Sequence, residues 1–138
     1  MESVNVVRNF HSVLNKYRVV VVAFCAEDFG VCRSLIEAAF PVLQGDYPEE
    51  KGYFFMKVVT EEKHGRKVNV SLCEAYEIED HLEVFVFING RKVKKENRCW
   101  GNAQDQIETI KKRIAEAIEE AGISAEGEIS HQMSLLAV

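Results

Sequence analysis

Cys25, Cys32, Cys73 and Cys99 are the four cysteines of the sequence and its strongest candidates for covalent chemistry. A thiolate is both a nucleophile and a metal ligand. No two of them have Cys-x-x-Cys spacing, so neither that dithiol nor a structural zinc site is expected. The histidines His11, His64, His81 and His131 are scattered singly and read as surface residues. Cys32 has the most suggestive setting. A β-branched run from Val19 to Phe24 and a short polar loop lead to it at a helix start, and Arg33 follows it. A thiol there is either a small shielded packing residue or a monothiol site helped by the helix N-terminus and Arg33. Cys25, ending the strand, and Cys73, on a helix's apolar face, are expected in the core.

The elements that must position these residues follow from periodicity. Val4 to Val7 is a short strand candidate, and Phe10, Val13, Leu14 and Tyr17 recur at helical spacing. Val19 to Phe24 is continuous and β-branched, as for a strand covered on both faces. Leu35, Ile36, Ala39, Phe40 and Leu43 form the face of a second helix starting near Val31. Pro41 should kink that helix or end its regular part. Gln44 to Gly52 reads as a loop. Tyr53 to Val59 is a strand, and Glu61 to Lys67 a solvated loop. Asn69 is placed to cap a short helix holding Val70, Cys73 and Tyr76. Glu83 to Ile88 and Arg91 to about Arg98 are strands joined by Asn89-Gly90, a strong hairpin signal. Ile107, Ile110, Ile114 and Ile118 stripe a long last helix that Gly122 ends. The order β-α-β-α-β-α-β-β-α predicts a largely parallel sheet with antiparallel strands at one edge.

Composition bounds what this domain can do. The 138 residues carry a net charge of −5, which argues against general electrostatic binding to nucleic acid or anionic lipid. The basic run Arg91 to Arg98 is a weak nucleic-acid candidate. It lacks interleaved aromatic residues, and lysines on an edge strand discourage aggregation. No apolar run approaches the roughly 18 residues of a membrane span. The N-terminus lacks a secretory profile, so a cytoplasmic or nuclear location with reduced thiols is the expectation. Residues 1–122 are expected to form one domain and 123–138 a flexible tail. No cofactor is expected.

The stretch Val22-Ala23-Phe24-Cys25-Ala26-Glu27-Asp28-Phe29-Gly30-Val31-Cys32-Arg33 resembles, without gaps, the thioredoxin family's V-D-F-W-A-x-W-C-G-P-C-K. Tyr76 to Gly90 is similarly aligned on the segment holding that family's cis-proline, strand and hairpin. The resemblance spans roughly residues 3 to 120. It implies a thioredoxin-like α/β fold, with a central mixed sheet of about five strands flanked by four helices. The departures concern chemistry. Phe29 stands at the nucleophilic cysteine, Asp28 at the tryptophan beside it, and Val31 at the proline between the cysteines. Ala23 stands at the buried aspartate and Leu82 at the cis-proline, where a trans bond is expected. Only Cys32 matches, as the second cysteine, which attacks a mixed disulfide that cannot form without the first.

The resemblance therefore implies a redox-inactive domain, without disulfide reductase activity, that binds a protein partner or serves a structural role in a larger assembly. Phe29, Val31, Leu82 and Trp100 are its candidate groove residues, since the connection to the last helix passes near this surface in the family. Trp100 equally suits a place in the core over that helix. Within the class the chain is also similar to the small thioredoxin-like proteins of the spliceosome, at Arg18 to Val21, the lone Cys32 and Tyr76 to Asp80. Its C-terminal part departs from them. The alternative is a monothiol oxidoreductase or redox sensor using Cys32 or Cys99.

Overall fold

The structure, a computed structural model, describes residues 6–96 and 101–122. Strands β1 (Val19–Ala26), β2 (Tyr53–Glu61), β3 (Leu82–Ile88) and β4 (Arg91–Glu96) form one mixed sheet in the order β2-β1-β3-β4. β1 runs parallel to β2 and antiparallel to β3, and β4 closes a hairpin on β3. Helix α1 (Val6–Lys16) precedes β1, and α2 (residues 30–46) crosses from β1 to β2. Helix α3 (Val70–Ala75) leads to β3, and α4 (Ala103–Ala121) completes the domain. The expected α/β, thioredoxin-like fold is the fold observed. Among the described residues no helix is long and apolar enough to cross a membrane.

Two apolar layers explain why the sheet is central. Every residue of β1 is buried, and its side chains alternate between the layers. Val19, Val21, Ala23 and Cys25 face Leu35, Leu43, Ile110 and Ile114 of α2 and α4. Val20, Val22 and Phe24 face Phe10 and Leu14 of α1 and Leu72 of α3. On that side Phe10, Phe24, Tyr76, Phe85 and Phe87 meet mostly edge-on or tilted, as ring quadrupoles favour, while Phe85 and Phe87 stack at an interplanar angle of 20°.

The turn signals act largely as their chemistry dictates. Asn89 and Gly90 both take positive φ, as a two-residue type I′ turn requires. Asn102 caps α4 by accepting from the Asp105 N–H at 2.9 Å, and Gly122 ends it at φ 75°. β4 lies at the sheet edge, as its lysines suggested. Lys94 is paired with Glu120, and the Lys92 ammonium lies 5.0 Å from the Phe85 ring centre.

The sheet, expected to be largely parallel, has only its β1–β2 pairing parallel among the described strands, and four further expectations require correction. Val6 and Val7 belong to α1, not to an N-terminal strand, because the helix that buries Phe10, Val13 and Leu14 on one side begins at Val6. Val4 and Asn5 lie outside the described residues, so the described sheet has four strands. Second, α2 passes Pro41 and continues to Asp46, where a loop was expected, and Glu49–Lys51 forms a 3-10 turn. The helix accommodates Pro41 by widening just before it. Leu35–Ala39 is a π-helical turn, with the Phe40 N–H reaching back to the Leu35 carbonyl. Proline lacks an N–H and crowds the carbonyl four residues earlier, so the wider turn relieves both problems. Third, Asn69 precedes α3 as expected but caps nothing. It sits at φ 53°, and its Nδ2 donates to the Val59 carbonyl at 2.7 Å. Fourth, Cys73 is half-buried rather than core.

Candidate functional site

At the carboxyl end of β1 the chain leaves the sheet for α2, beside a register shift against β2 between Cys25 and Ala26. Crevices at such strand ends are common ligand sites in α/β folds. The connection from β1 to α2 is tight. The Phe29 N–H donates to the Ala26 carbonyl at 3.1 Å, and the Phe29 carbonyl accepts from Cys32 and Arg33 at 3.0 and 3.2 Å. This turn presents Phe29 half-buried, with its body against the core shared with α2 and α4.

His81 meets Phe29 from the segment entering β3. The two rings lie 5.2 Å apart at an interplanar angle of 32°. The His81 carbonyl accepts from the Ala26 N–H at 2.9 Å and from the Cys32 thiol at 3.2 Å. That segment is itself held by Glu83, a fully buried carboxylate whose Oε2 accepts from the Glu79 and Asp80 N–H groups at 2.8 and 2.9 Å. Glu83 thus sets His81 against Phe29.

The far side of the site is set by Gln106 of α4, also fully buried. Its Nε2 donates to the Val31 carbonyl at 3.0 Å, and its Oε1 accepts from Ser34 Oγ at 3.2 Å. Val31 is half-buried beside it. Neither Glu83 nor Gln106 was singled out from sequence. The pattern did carry a signal for Gln106, which sits next to Ile107 at the start of the apolar stripe.

Two cavities open around the Phe29–His81 pair. One of about 210 Å³ is lined by Asp28, Phe29, Glu61, Glu62 and His81. The other, about 520 Å³, shares Ala26, Glu61 and His81 and extends to Val70 and Ile78. Glu61 and Glu62 are paired with Lys67 and Arg66 at 2.6 and 2.9 Å. The hydrogen bond and charge of Lys67 hold the Glu61 carboxyl below its ordinary range.

Cys32 lies beneath this surface and is only 3% exposed. The Cys25 thiol hydrogen-bonds it, which is the largest influence holding its pKa below the ordinary thiol value. Burial opposes that shift, and the positive charge of Lys57 assists it. Cys73 is the opposite case, because burial pushes its thiol up. Sequence spacing alone does not reveal the proximity of Cys25 and Cys32. The β1 alternation held the clue, since Cys25 follows Val19, Val21 and Ala23 onto the α2-facing side.

The predicted groove residues are thus only partly assembled. Phe29 and Val31 are half-exposed, but Leu82 is 1% exposed and belongs to the core. It pairs with Cys25 in the β1–β3 register, which points its side chain into the layer under α2. His81, not Leu82, supplies the surface group. Cys99 and Trp100 lie outside the described residues, as do Asn97, Arg98 and the segment 123–138. Among the described residues no peptide bond is cis and no cluster of metal-binding side chains occurs.

No family model matches the sequence, and no curated protein sequence matches it. Solved structures do resemble the fold. Oxidised thioredoxin from Plasmodium falciparum superposes with a TM-score of 0.59 at 21% identity, over 77% of this chain and 90% of that one. Mitochondrial thioredoxin 3 from Saccharomyces cerevisiae gives 0.59 at 15% identity, over 80% and 89%. Human ERp44 gives 0.59 at 21% identity, over 82% of this chain but 28% of ERp44. The shared property is the thioredoxin-like fold.

Proposed function

We propose that this thioredoxin-fold chain is a divergent, non-catalytic protein-binding module, working within a larger assembly and recognising its partner through the surface centred on Phe29 and His81. The observation that carries this reading is the Phe29–His81 ring pair, half-exposed between two cavities at the carboxyl end of β1. A clustered aromatic pair at a crevice suits anchoring of a partner side chain. In the same place a dithiol reductase would need an exposed nucleophilic thiol, and this sequence has Phe29 there. Cys32, at 3% exposure, does not present its sulfur to a protein disulfide.

The test is recovery of partners by native affinity purification with wild-type protein and with Phe29→Ala and His81→Ala. The expected result is loss of the same partner from both variants, with circular dichroism spectra unchanged from wild type. Undiminished recovery with both well-folded variants removes the reading. Reduction of insulin disulfides is expected to stay at background.

A further inference from the structure

We propose that Cys25 and Cys32 form a buried oxidation site for small hydroperoxides, which close the pair into an intramolecular disulfide beneath the Phe29–His81 surface. The inference does not depend on partner binding. Six residues separate the two cysteines, and the turn at Ala26–Phe29 folds them together, with Cys25 at the end of β1 and Cys32 in the first turn of α2. They share one layer of the core, and Cys25 is the largest single influence on the ionisation of Cys32. Both also line a cavity of about 210 Å³, together with Arg33, Lys57 and Lys63.

Size selects the oxidant. The cavity has room for several molecules the size of water, each occupying about 30 Å³ in the liquid. Hydrogen peroxide fits, whereas at 2% and 3% exposure neither sulfur can meet a disulfide on another protein. Cys32 is the attacking thiol, because hydrogen bonding from Cys25 first, and the charge of Lys57 last, favour its thiolate. That thiolate attacks one peroxide oxygen, the O–O bond breaks, and the departing hydroxide takes a proton to become water. Cys32 is left as the sulfenic acid. The Cys25 thiol, giving up its proton, attacks the Cys32 sulfur, the S–O bond breaks, and a second water leaves. Two thiols and one peroxide thus become one disulfide and two waters. The reaction also removes the Cys32 S–H donor, leaving the His81 carbonyl with the Ala26 N–H alone of these two partners.

Trypsin makes the test direct, since cleavage after Arg18 and Arg33 releases Cys25 and Cys32 on one peptide, separate from Cys73 and Cys99. The reduced full chain is treated with hydrogen peroxide, then denatured, alkylated, digested and weighed. The expected peptide 19–33 is lighter by two hydrogens, carries no alkyl group, and recovers two alkylation sites after dithiothreitol. Peptide 19–33 still doubly alkylated after the other cysteines have been oxidised overturns the proposal. So does Cys32 accumulating as sulfinic acid while Cys25 stays alkylatable. The measurement uses wild-type protein, so no variant's stability enters it.

Discussion

Gln106 reaches from α4 to the Val31 carbonyl over 3.0 Å, so a wholly buried amide ties the last helix to the first turn of α2. A side chain of similar size without polar atoms would keep the packing and lose this tie, together with the bond from Ser34. Gln106→Leu is expected to destabilise the fold by about 1–3 kcal/mol, the usual cost of stranding a buried polar group. Urea unfolding measures this as a lower midpoint with an unchanged slope. Faster amide exchange at residues 31–34 would localise it, and an unshifted midpoint would contradict the role given to Gln106.

Glu83 makes the corresponding tie on the other side of the site. In Glu83→Ala the Glu79 and Asp80 N–H groups lose their common acceptor. The expected cost is again about 1–3 kcal/mol, and Glu83→Gln, which retains one acceptor oxygen, should lose less. The more specific readout is the His81 ring. Its proton shifts should move toward those of an unstacked imidazole in Glu83→Ala, because the segment carrying it is no longer held against Phe29. Unmoved shifts in a folded variant would mean that another contact positions His81.

Asn69 separates two effects that usually coincide. Its backbone is left-handed at φ 53°, which favours glycine, while its side chain donates to Val59. Asn69→Gly loses only the hydrogen bond, whereas Asn69→Ala loses the bond and adds backbone strain. Alanine should therefore be the more destabilising replacement, by roughly 1 kcal/mol. Equal melting temperatures for the two variants would refute the strain argument.

Tyr17 donates its hydroxyl proton to Glu49, and this bond, ahead of burial and the carboxylate's charge, pushes its pKa up to about 12. The folded value lies above the ordinary tyrosine value of about 10. The contribution of the pair to stability is therefore complete below about pH 10 and is lost as pH rises toward 12. Ultraviolet titration of tyrosinate in Glu49→Gln should show one tyrosine ionising earlier than in wild type. An identical curve would disconnect the two residues.

Local rules reached much of this fold from sequence. The unbroken run in β1, the Asn89-Gly90 turn and the isoleucine stripe of α4 each state their structure within a few residues. Val6 and Val7 misled because β-branched residues favour strands, whereas the backbone there is already the first turn of α1. The site was harder to read, since its geometry rests on distant partners. Gln106 lies 75 residues from Val31, and Cys32 lies 49 from His81. Phe29 stood out because a known pattern supplied a contrast at its position. Glu83 had no such contrast, and nothing in a strand's alternation announces that a carboxylate will be buried against two backbone amides.

The central place of β1 has a consequence for the chain during synthesis. β1 is made early, yet its partner β2 begins at Tyr53 and β3 only at Leu82. Until residue 82 leaves the ribosome, the strand Val-Val-Val-Val-Ala-Phe-Cys-Ala has an open edge toward β3, with no charge and no proline to guard it. Synthesis at about 5–20 residues per second leaves that edge bare for seconds. A chain stopped before β3 should therefore pair with its own copies, while the finished one keeps this sticky segment at its centre.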